Sequence, residues 1–470
     1  MEKKQITDWM AAHRDEFLTD LAELISIRSV REDPLPGKPF GEGPARALAA
    51  ALKLSEKYGF AVKNYDNYVG TADLNDKETV MDMLVHLDVV SEGDGWDTDP
   101  YTLVQKDDGL IYGRGTDDDK GPGLAALYAM RCVRELGHPA AKNVRLIWGT
   151  DEESGFADLT HYFTIEKSAP YTFSPDAEFP VYNTEKGFYH PQFEKSWPRT
   201  DALPRVESLD GGIRINVLPA NASALVAGLT ADEIDALVRP LAEQMQVEAD
   251  LAEEEQGVRI SVTGTASHAA HPEEGNNAIT ALLAMLAALP LADTPSAAAV
   301  RDLCRLFPHG DCHGTALGID REDEISGRLT LCFSLLTFAP DGMHGQFDAR
   351  VPVASNEENC RRPVEQALTA AGFSVEGEMD APHHTPADSP FVQTLLACYE
   401  EFTGEKGECL SMGGGTYVHH IEGGVAFGAG VPGFVSNLHG PNERASVENL
   451  LRAAAVYAGV IARMTEDGEA

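Results

Sequence analysis

Met83-Leu-Val-His-Leu-Asp-Val-Val90 is an apolar run that carries a histidine and, just after it, an aspartate. Its length and β-branched content predict a buried strand over residues 81–90. Side chains alternate between the faces of a strand, so His86 and Asp88 point to the same side. That geometry lets a histidine bind a metal while a nearby carboxylate fixes it from behind. Four later segments concentrate further acids and a second histidine. They are Arg114-Gly-Thr-Asp-Asp-Asp-Lys-Gly121, Thr150-Asp-Glu-Glu-Ser-Gly155, Ser174-Pro-Asp176 and Leu438-His-Gly-Pro-Asn-Glu443.

On the N-terminal side of this run, residues 1–60 read as helices. Phe17, Leu18, Leu21, Leu24 and Ile25 recur at helical spacing, and a second apolar-periodic run covers Ala45–Tyr58. Asp33-Pro-Leu-Pro-Gly-Lys-Pro between them is a loop. On the C-terminal side, a helix is expected from Pro122 to Leu136, with Pro122 in its first turn. Asn143–Thr150 reads as another strand and ends on Asp151-Glu152-Glu153. Alternating strands and helices predict a largely parallel sheet. Ligands gather at the carboxyl ends of such strands, where His86, Glu152 and Asp176 all fall.

After about residue 187 the texture changes. Residues 210–265 read as strands around a helix (Thr230–Met245), residues 276–306 as helical and 327–350 as alternating strands. Asp380-Ala-Pro-His-His-Thr-Pro marks a junction, and helices follow over Pro390–Phe402 and from about Val447 to Met464. The expected fold is α/β. A discontinuous catalytic domain, residues 1–186 and 381–470, carries a mostly parallel mixed sheet, and an α+β lid domain, 187–380, is inserted in it.

A chain of 470 residues exceeds one ordinary core, which agrees with two domains. A net charge of −38 argues against nucleic acid and anionic membranes as partners. No stretch approaches the ~20 apolar residues of a membrane span, and Met1-Glu-Lys-Lys-Gln-Ile-Thr-Asp-Trp has no apolar signal region. Seven dispersed cysteines without a Cys-x-x-Cys pair point to reduced thiols in the cytoplasm. His309 with Cys312-His313 fits no structural zinc spacing and reads as an ordinary surface loop.

Two histidines with several carboxylates suit Zn²⁺, Mn²⁺ or Co²⁺ rather than a thiolate-preferring ion. A carboxylate can bridge two divalent ions ~3.5–4 Å apart, and such pairs activate water for hydrolysis. A workable set has His86 on one ion, His439 on the other, an aspartate bridging, and a terminal carboxylate for each. Glu152-Glu153 can then supply one ligand and one base, because neighbours on an extended chain point apart. Acidic clusters gathered at strand ends repel one another unless a cation compensates.

His86-Leu-Asp88, Gly113-Arg-Gly-Thr-Asp-Asp-Asp-Lys-Gly-Pro122, Asp151-Glu-Glu-Ser-Gly155, Asp176 and His439, taken in order, resemble the signature of a known family. It is the dinuclear metallopeptidase family of aminoacylase, carnosinase and bacterial dipeptidases, and the match spans nearly the whole chain. The resemblance implies His86 and Asp176 on one ion, Glu153 and His439 on the other, and Asp118 bridging them. It also implies that Asp88 orients His86 and that Glu152 is the base that activates the bridging water. Many relatives have methionine where Asp119 stands. Asp-Asp-Lys-Gly-Pro is similar to the branch called dipeptidase V or Xaa-His dipeptidase.

In that branch Gly264-Thr-Ala-Ser-His-Ala-Ala-His-Pro272 implies that His268 stabilises the oxyanion, with His271 a nearby decoy. Asn216 and Arg350 are implied to hold the substrate carboxylate, a task suited to the planar arginine fork. Gly413-Gly-Gly-Thr-Tyr417 implies a pocket wall at Gly414, Gly415 and Thr416, where bare backbone can approach a peptide. Residues 290–340 resemble the long lid that replaces a second subunit in this branch, so a monomer is expected. The implied activity is a metal-dependent dipeptidase with two zinc (or manganese or cobalt) ions, acting on small peptides with both termini free. An N-acyl-amino-acid deacylase with the same site is the alternative, and a non-catalytic amino-acid-binding relative is another. The long lid and Asp119 favour the dipeptidase, and intact Glu152, Asp118, His86 and His439 disfavour the binder.

Overall fold

The structure, a computed structural model, describes residues 1–466. The chain divides into two compact units. One comprises Met1–Thr184, His384–Ser411 and the chain from Gly415 on; the other comprises Glu185–His383 with Met412–Gly414.

The first unit begins with the helices Lys3–Ala12, Arg14–Ile25 and Glu42–Lys57. Its sheet runs, in space, Ala61–Tyr65, Val69–Asp73, Asn143–Gly149, Thr79–His86, Tyr171–Ser174, Val425–Ala426 and Val181–Glu185. The four middle strands are mutually parallel. The flanking pairs are antiparallel, which makes the sheet mixed. Thr79–His86 lies centrally, and its last six residues are all buried. A parallel strand covered on both faces needs a continuous apolar run, and this accounts for Met83-Leu-Val.

The strand ends on His86, short of the expected Val90, because the chain leaves the ladder and Asp88 turns to the neighbouring loop. Helix Lys120–Glu135 packs over the sheet at very close range. A Cβ on Gly123 would lie 2.8 Å from the Trp148 ring and 3.3 Å from Val85, so only glycine permits the approach. The helix thus starts directly behind the strand ends, with Asp119 at its N-cap.

The second unit is an antiparallel sheet in the order Glu248–Glu254, Gly257–Thr263, Asn221–Ala227, Arg205–Gly211, Thr330–Ala339 and Gly342–Val351. Helices Ala231–Met245, Ala278–Ala288 and Pro295–Leu306 cover its apolar face, where Ile260, Leu282 and Val300 are wholly buried. Thr230 starts the first of these with a capping box to Glu233. Among the described residues no helix is long and apolar enough to cross a membrane.

Candidate active site

The loops past the parallel strands bring five of the expected residues into two triads. His86, Asp118 and Asp176 offer ligand atoms within 4.8 Å of one another, and so do Asp118, Glu153 and His439. Asp118 belongs to both, one oxygen to each. Its Oδ1 lies 2.8 Å from His86 Nε2, and its Oδ2 lies 2.8 Å from His439 Nε2. Asp176 Oδ2 is 3.7 Å from His86 Nε2, and Glu153 Oε1 is 3.1 Å from His439 Nε2. Asp117 is in neither triad; its carboxylate takes a hydrogen bond from Ser436.

His86 tests whether these groups suit a cation. Its Nδ1 lies 2.9 Å from the main-chain oxygen of Asp88, which can only accept, so the ring proton sits on Nδ1. Nε2 is buried and makes no hydrogen bond, although Asp118 Oδ1 is 2.8 Å away. Burial opposes charge on this ring, yet Asp118 and Asp88 raise its proton affinity well above the ordinary value. A ring nitrogen facing carboxylate oxygens is thus a ligand set that needs a positive charge, proton or metal, between its members. A divalent ion suits all five donors, which are nitrogen and oxygen only.

The ionisation of the cluster reports the same need. Burial, with the neighbouring carboxylates, pushes Asp176 and Glu152 well above the ordinary range and Glu153 up to about 6. Burial also opposes ionisation of Asp118, yet the His439 and His86 rings beside it hold it well below the ordinary value. Burial disfavours charge on His439, but Asp118 and Glu153 raise it to about 10. Without a metal the cluster takes up protons instead.

The main chain of Glu152 and Glu153 is set from Asp88. Asp88 Oδ1 accepts the Glu152 N–H at 3.2 Å, and Oδ2 accepts the Glu153 N–H at 3.1 Å. So the main-chain oxygen of Asp88 holds the His86 ring, with its Oδ1 also 3.5 Å from Nδ1, and the same carboxylate holds the acidic turn. Asp151 is buried and accepts from Arg31 Nη1 at 2.6 Å. Asp158, also buried, accepts from Thr150 N at 2.6 Å, from Asp151 N at 3.0 Å and from the Tyr417 hydroxyl. Sequence reasoning missed Arg31, Asp158 and the role of Tyr417. A lone Asp or Arg in a loop carries no spacing signal, although Tyr417 closes a segment already singled out.

The remaining expected residues belong mainly to the second unit. Ser267–His268 pairs with Val217–Leu218, and Asn216 is exposed beside this ribbon. His268 Nδ1 accepts the Ala270 N–H at 3.1 Å, which leaves the proton of the neutral ring on Nε2, the tautomer a donor requires. His271 lies 3.7 Å from Glu273 at the surface. Arg350 is buried and gripped bidentately by Asp348 at 2.7 and 2.8 Å, with Nη1 donating to Gly413 O at 2.7 Å. This uses three of its five donors and leaves one N–H on each terminal nitrogen. Gly414 is exposed in this unit; Gly415 and the buried Thr416 belong to the first. His309 Nδ1 pairs with Thr280 Oγ1 at 2.9 Å, and Cys312 Sγ lies 3.6 Å from His313 Nε2. These form no metal-capable group among the described residues.

Residues 83–463 match the profile of peptidase family M20/M25/M40. The chain is 36% identical over 455 residues to dipeptidase YtjP of Bacillus subtilis (strain 168), covering 95% of this chain and 97% of that protein. It is 30% identical over 466 residues to the Beta-Ala-Xaa dipeptidase of Lactobacillus delbrueckii subsp. lactis, covering 97% and 98%. Among solved structures it is similar in fold to human carnosine dipeptidase 1, with a TM-score of 0.61 at 18% identity over 99% of both chains. The aminoacylhistidine dipeptidase of Vibrio alginolyticus gives 0.57 at 14% identity over 95% of both.

Proposed function

The chain belongs to peptidase family M20/M25/M40, and we propose that it is a metal-dependent dipeptidase that cleaves dipeptides with free amino and carboxyl ends. The observation that carries the reading is the division of Asp118 between two histidine–carboxylate triads. Full-length similarity to proteins named dipeptidases favours this over a deacylase or a non-catalytic binder.

His86 and Asp176 would hold one divalent ion and Glu153 and His439 the other, with Asp118 shared. Such ions, when bound, supply Lewis-acid polarisation of the scissile carbonyl and acidify water. Zinc is our proposal for both, and the same donors suit manganese or cobalt. Glu152 lies outside both triads, with its main chain fixed by Asp88, and its half-buried carboxyl has a high proton affinity. It takes the proton of the attacking water and returns it to the leaving amine. His268, with its proton on Nε2, donates to the oxyanion. Arg350, through its two remaining N–H groups, and Asn216 hold the substrate carboxylate, while Gly414, Gly415 and Thr416 wall the peptide. A grip on both charged ends restricts the length to dipeptides. We further propose a cytoplasmic monomer. Seven free cysteines fit a reducing compartment, and the long lid substitutes for a partner chain.

The test is hydrolysis of a dipeptide panel, β-alanyl members included, against N-acetyl amino acids and tripeptides. Metal-free, zinc-loaded and manganese-loaded enzyme are compared with Glu152→Gln. Metal-dependent cleavage of dipeptides alone is expected, and lost in the variant. Cleavage of the acetylated compounds instead would make the protein a deacylase.

A further inference from the structure

The segments that carry Asp118 and His439 spring from one short ribbon. Arg444–Ser446 pairs antiparallel with Leu110–Tyr112, and Arg444 lies opposite Tyr112. One chain leaves this ribbon towards Asp118; the other reaches it from His439. Glu443 sits at the junction with 0% exposure. Its carboxylate accepts the Gly115 N–H at 3.0 and 3.1 Å, the Asp117 N–H at 2.9 Å and the Asp118 N–H at 3.3 Å. It also pairs with Arg114 Nη1 at 2.7 Å, and its main-chain oxygen accepts the Gly113 N–H at 3.1 Å. Arg114, 1% exposed, donates from Nη2 to Gly440 O at 3.2 Å, directly after His439, and to Ser91 O at 3.4 Å.

One carboxylate therefore grips the backbone of Asp118, and its guanidinium partner grips the backbone beside His439. The His439 loop needs such a hold. Asn437, His439 and Asn442 have φ of 59°, 57° and 57°, left-handed values that non-glycine residues keep only where the surroundings over-determine them. Such a buried charge pair is weak evidence of a stabilising role. Its acceptors are spent on the Asp118 loop and its donors on the backbone beside His439.

We infer that Glu443 with Arg114 is a positioning pair that sets Asp118 and His439 in register, and so governs the ion shared by Asp118, Glu153 and His439. This rests on the dinuclear reading above. His86 and Asp176 extend from the ends of other strands, Thr79–His86 and Tyr171–Ser174, so the other ion depends on Glu443 less. Glutamine at 443 keeps the shape but offers one acceptor oxygen and an amide donor. It sets N–H against the N–H of Gly115 or Arg114.

The experiment titrates the metal-free full-length chain with zinc against a chromophoric chelator. Wild type is expected to take two equivalents. In Glu443→Gln one of the two equivalents loses about 10- to 100-fold in affinity and the other changes by less than about 3-fold. Glu443→Asp keeps both acceptor oxygens but is one methylene short, and weakens the same equivalent. Arg114→Met combined with Glu443→Gln removes the stranded guanidinium. Its melting temperature recovers towards wild type while the zinc affinity does not. Unchanged affinities in Glu443→Gln, or affinity that recovers together with the melting temperature, would overturn the positioning role and leave a purely structural one. A wild-type chain that binds fewer than two equivalents would overturn the dinuclear reading itself, and this inference with it.

Discussion

Asp118 turns one oxygen to His86 and the other to His439, each at 2.8 Å, and no other side chain present belongs to both triads. Asparagine there presents one oxygen and one amide, so it can serve only one triad. Asp118→Asn is expected to retain at most one zinc per chain after dialysis, measured by elemental analysis; two retained ions would remove Asp118 from the shared position. Glu152 differs, because the structure leaves it out of both triads. Glu152→Gln should keep both ions and lose about 10²- to 10⁴-fold in kcat, the usual contribution of a general base. Near-normal turnover would transfer that role elsewhere.

The turn after Asn143–Gly149 depends on an element rather than on any single ligand. Asp158 gathers the Thr150 and Asp151 N–H groups and the Tyr417 hydroxyl on one carboxylate, which fixes the chain just before Glu152. Gly149 makes room for this. A Cβ there would fall on the Tyr417 hydroxyl and lie 2.7 Å from Asp158 Oδ2. Gly149→Ala is expected to destabilise by about 1–3 kcal/mol in urea unfolding, as overpacked sites do. It should also lower kcat by more than about tenfold by shifting the acidic turn. Tyr417→Phe, which removes the hydroxyl and not the space, should show the kinetic loss with a smaller stability change. Equal activity of both variants with wild type would show that the brace does not position the turn.

For the whole molecule, carboxylates and imidazoles that repel or protonate without a cation should make folding depend on metal. Zinc at about 100 times its dissociation constant is expected to add about 2.7 kcal/mol per site, seen as a higher melting temperature that falls on chelation. An unaltered melting temperature would mean that the donors are not arranged in the native state. A separate pH effect comes from Asp82, buried in the central strand. Among the described residues its Oδ1 has no hydrogen-bond partner, and Oδ2 accepts from Ala169 N at 2.7 Å. Burial raises its carboxyl to about 7 from the ordinary 3.8, only partly offset by the Ala169 N–H and Arg145. The folded form is the stronger proton binder, so this contribution to stability is full below about pH 4, falls as pH rises to 7 and is flat above. Asp82→Asn cannot ionise and should therefore gain on wild type between pH 5 and pH 8, by up to about 4 kcal/mol. A difference independent of pH would show that Asp82 titrates normally.

Periodicity and strand composition by themselves determined the α/β class, a buried strand through His86, though not its end there, and the helix Val447–Met464, whose bounds appear as expected. They could do so because the hydrophobic pattern is local and repeats with the element. The ordered motifs also named His86, Asp118, Glu153, Asp176 and His439, which the fold draws into two adjoining triads. Periodicity and spacing could not choose among three consecutive aspartates; the resemblance pointed to Asp118, and the folded backbone turns that one to both histidines, since neighbours in a turn point wherever the backbone sends them. Tertiary structure also decided that the Asp88 carboxylate holds the acidic turn as well as lying beside His86, whose ring its main chain holds. Asp158, Tyr417, Arg114 and Glu443 found their partners only there. Their hydrogen bonds join segments up to 329 residues apart in the chain. A pairing between distant loops leaves no periodic mark on either, because only the folded backbone brings donor and acceptor within reach.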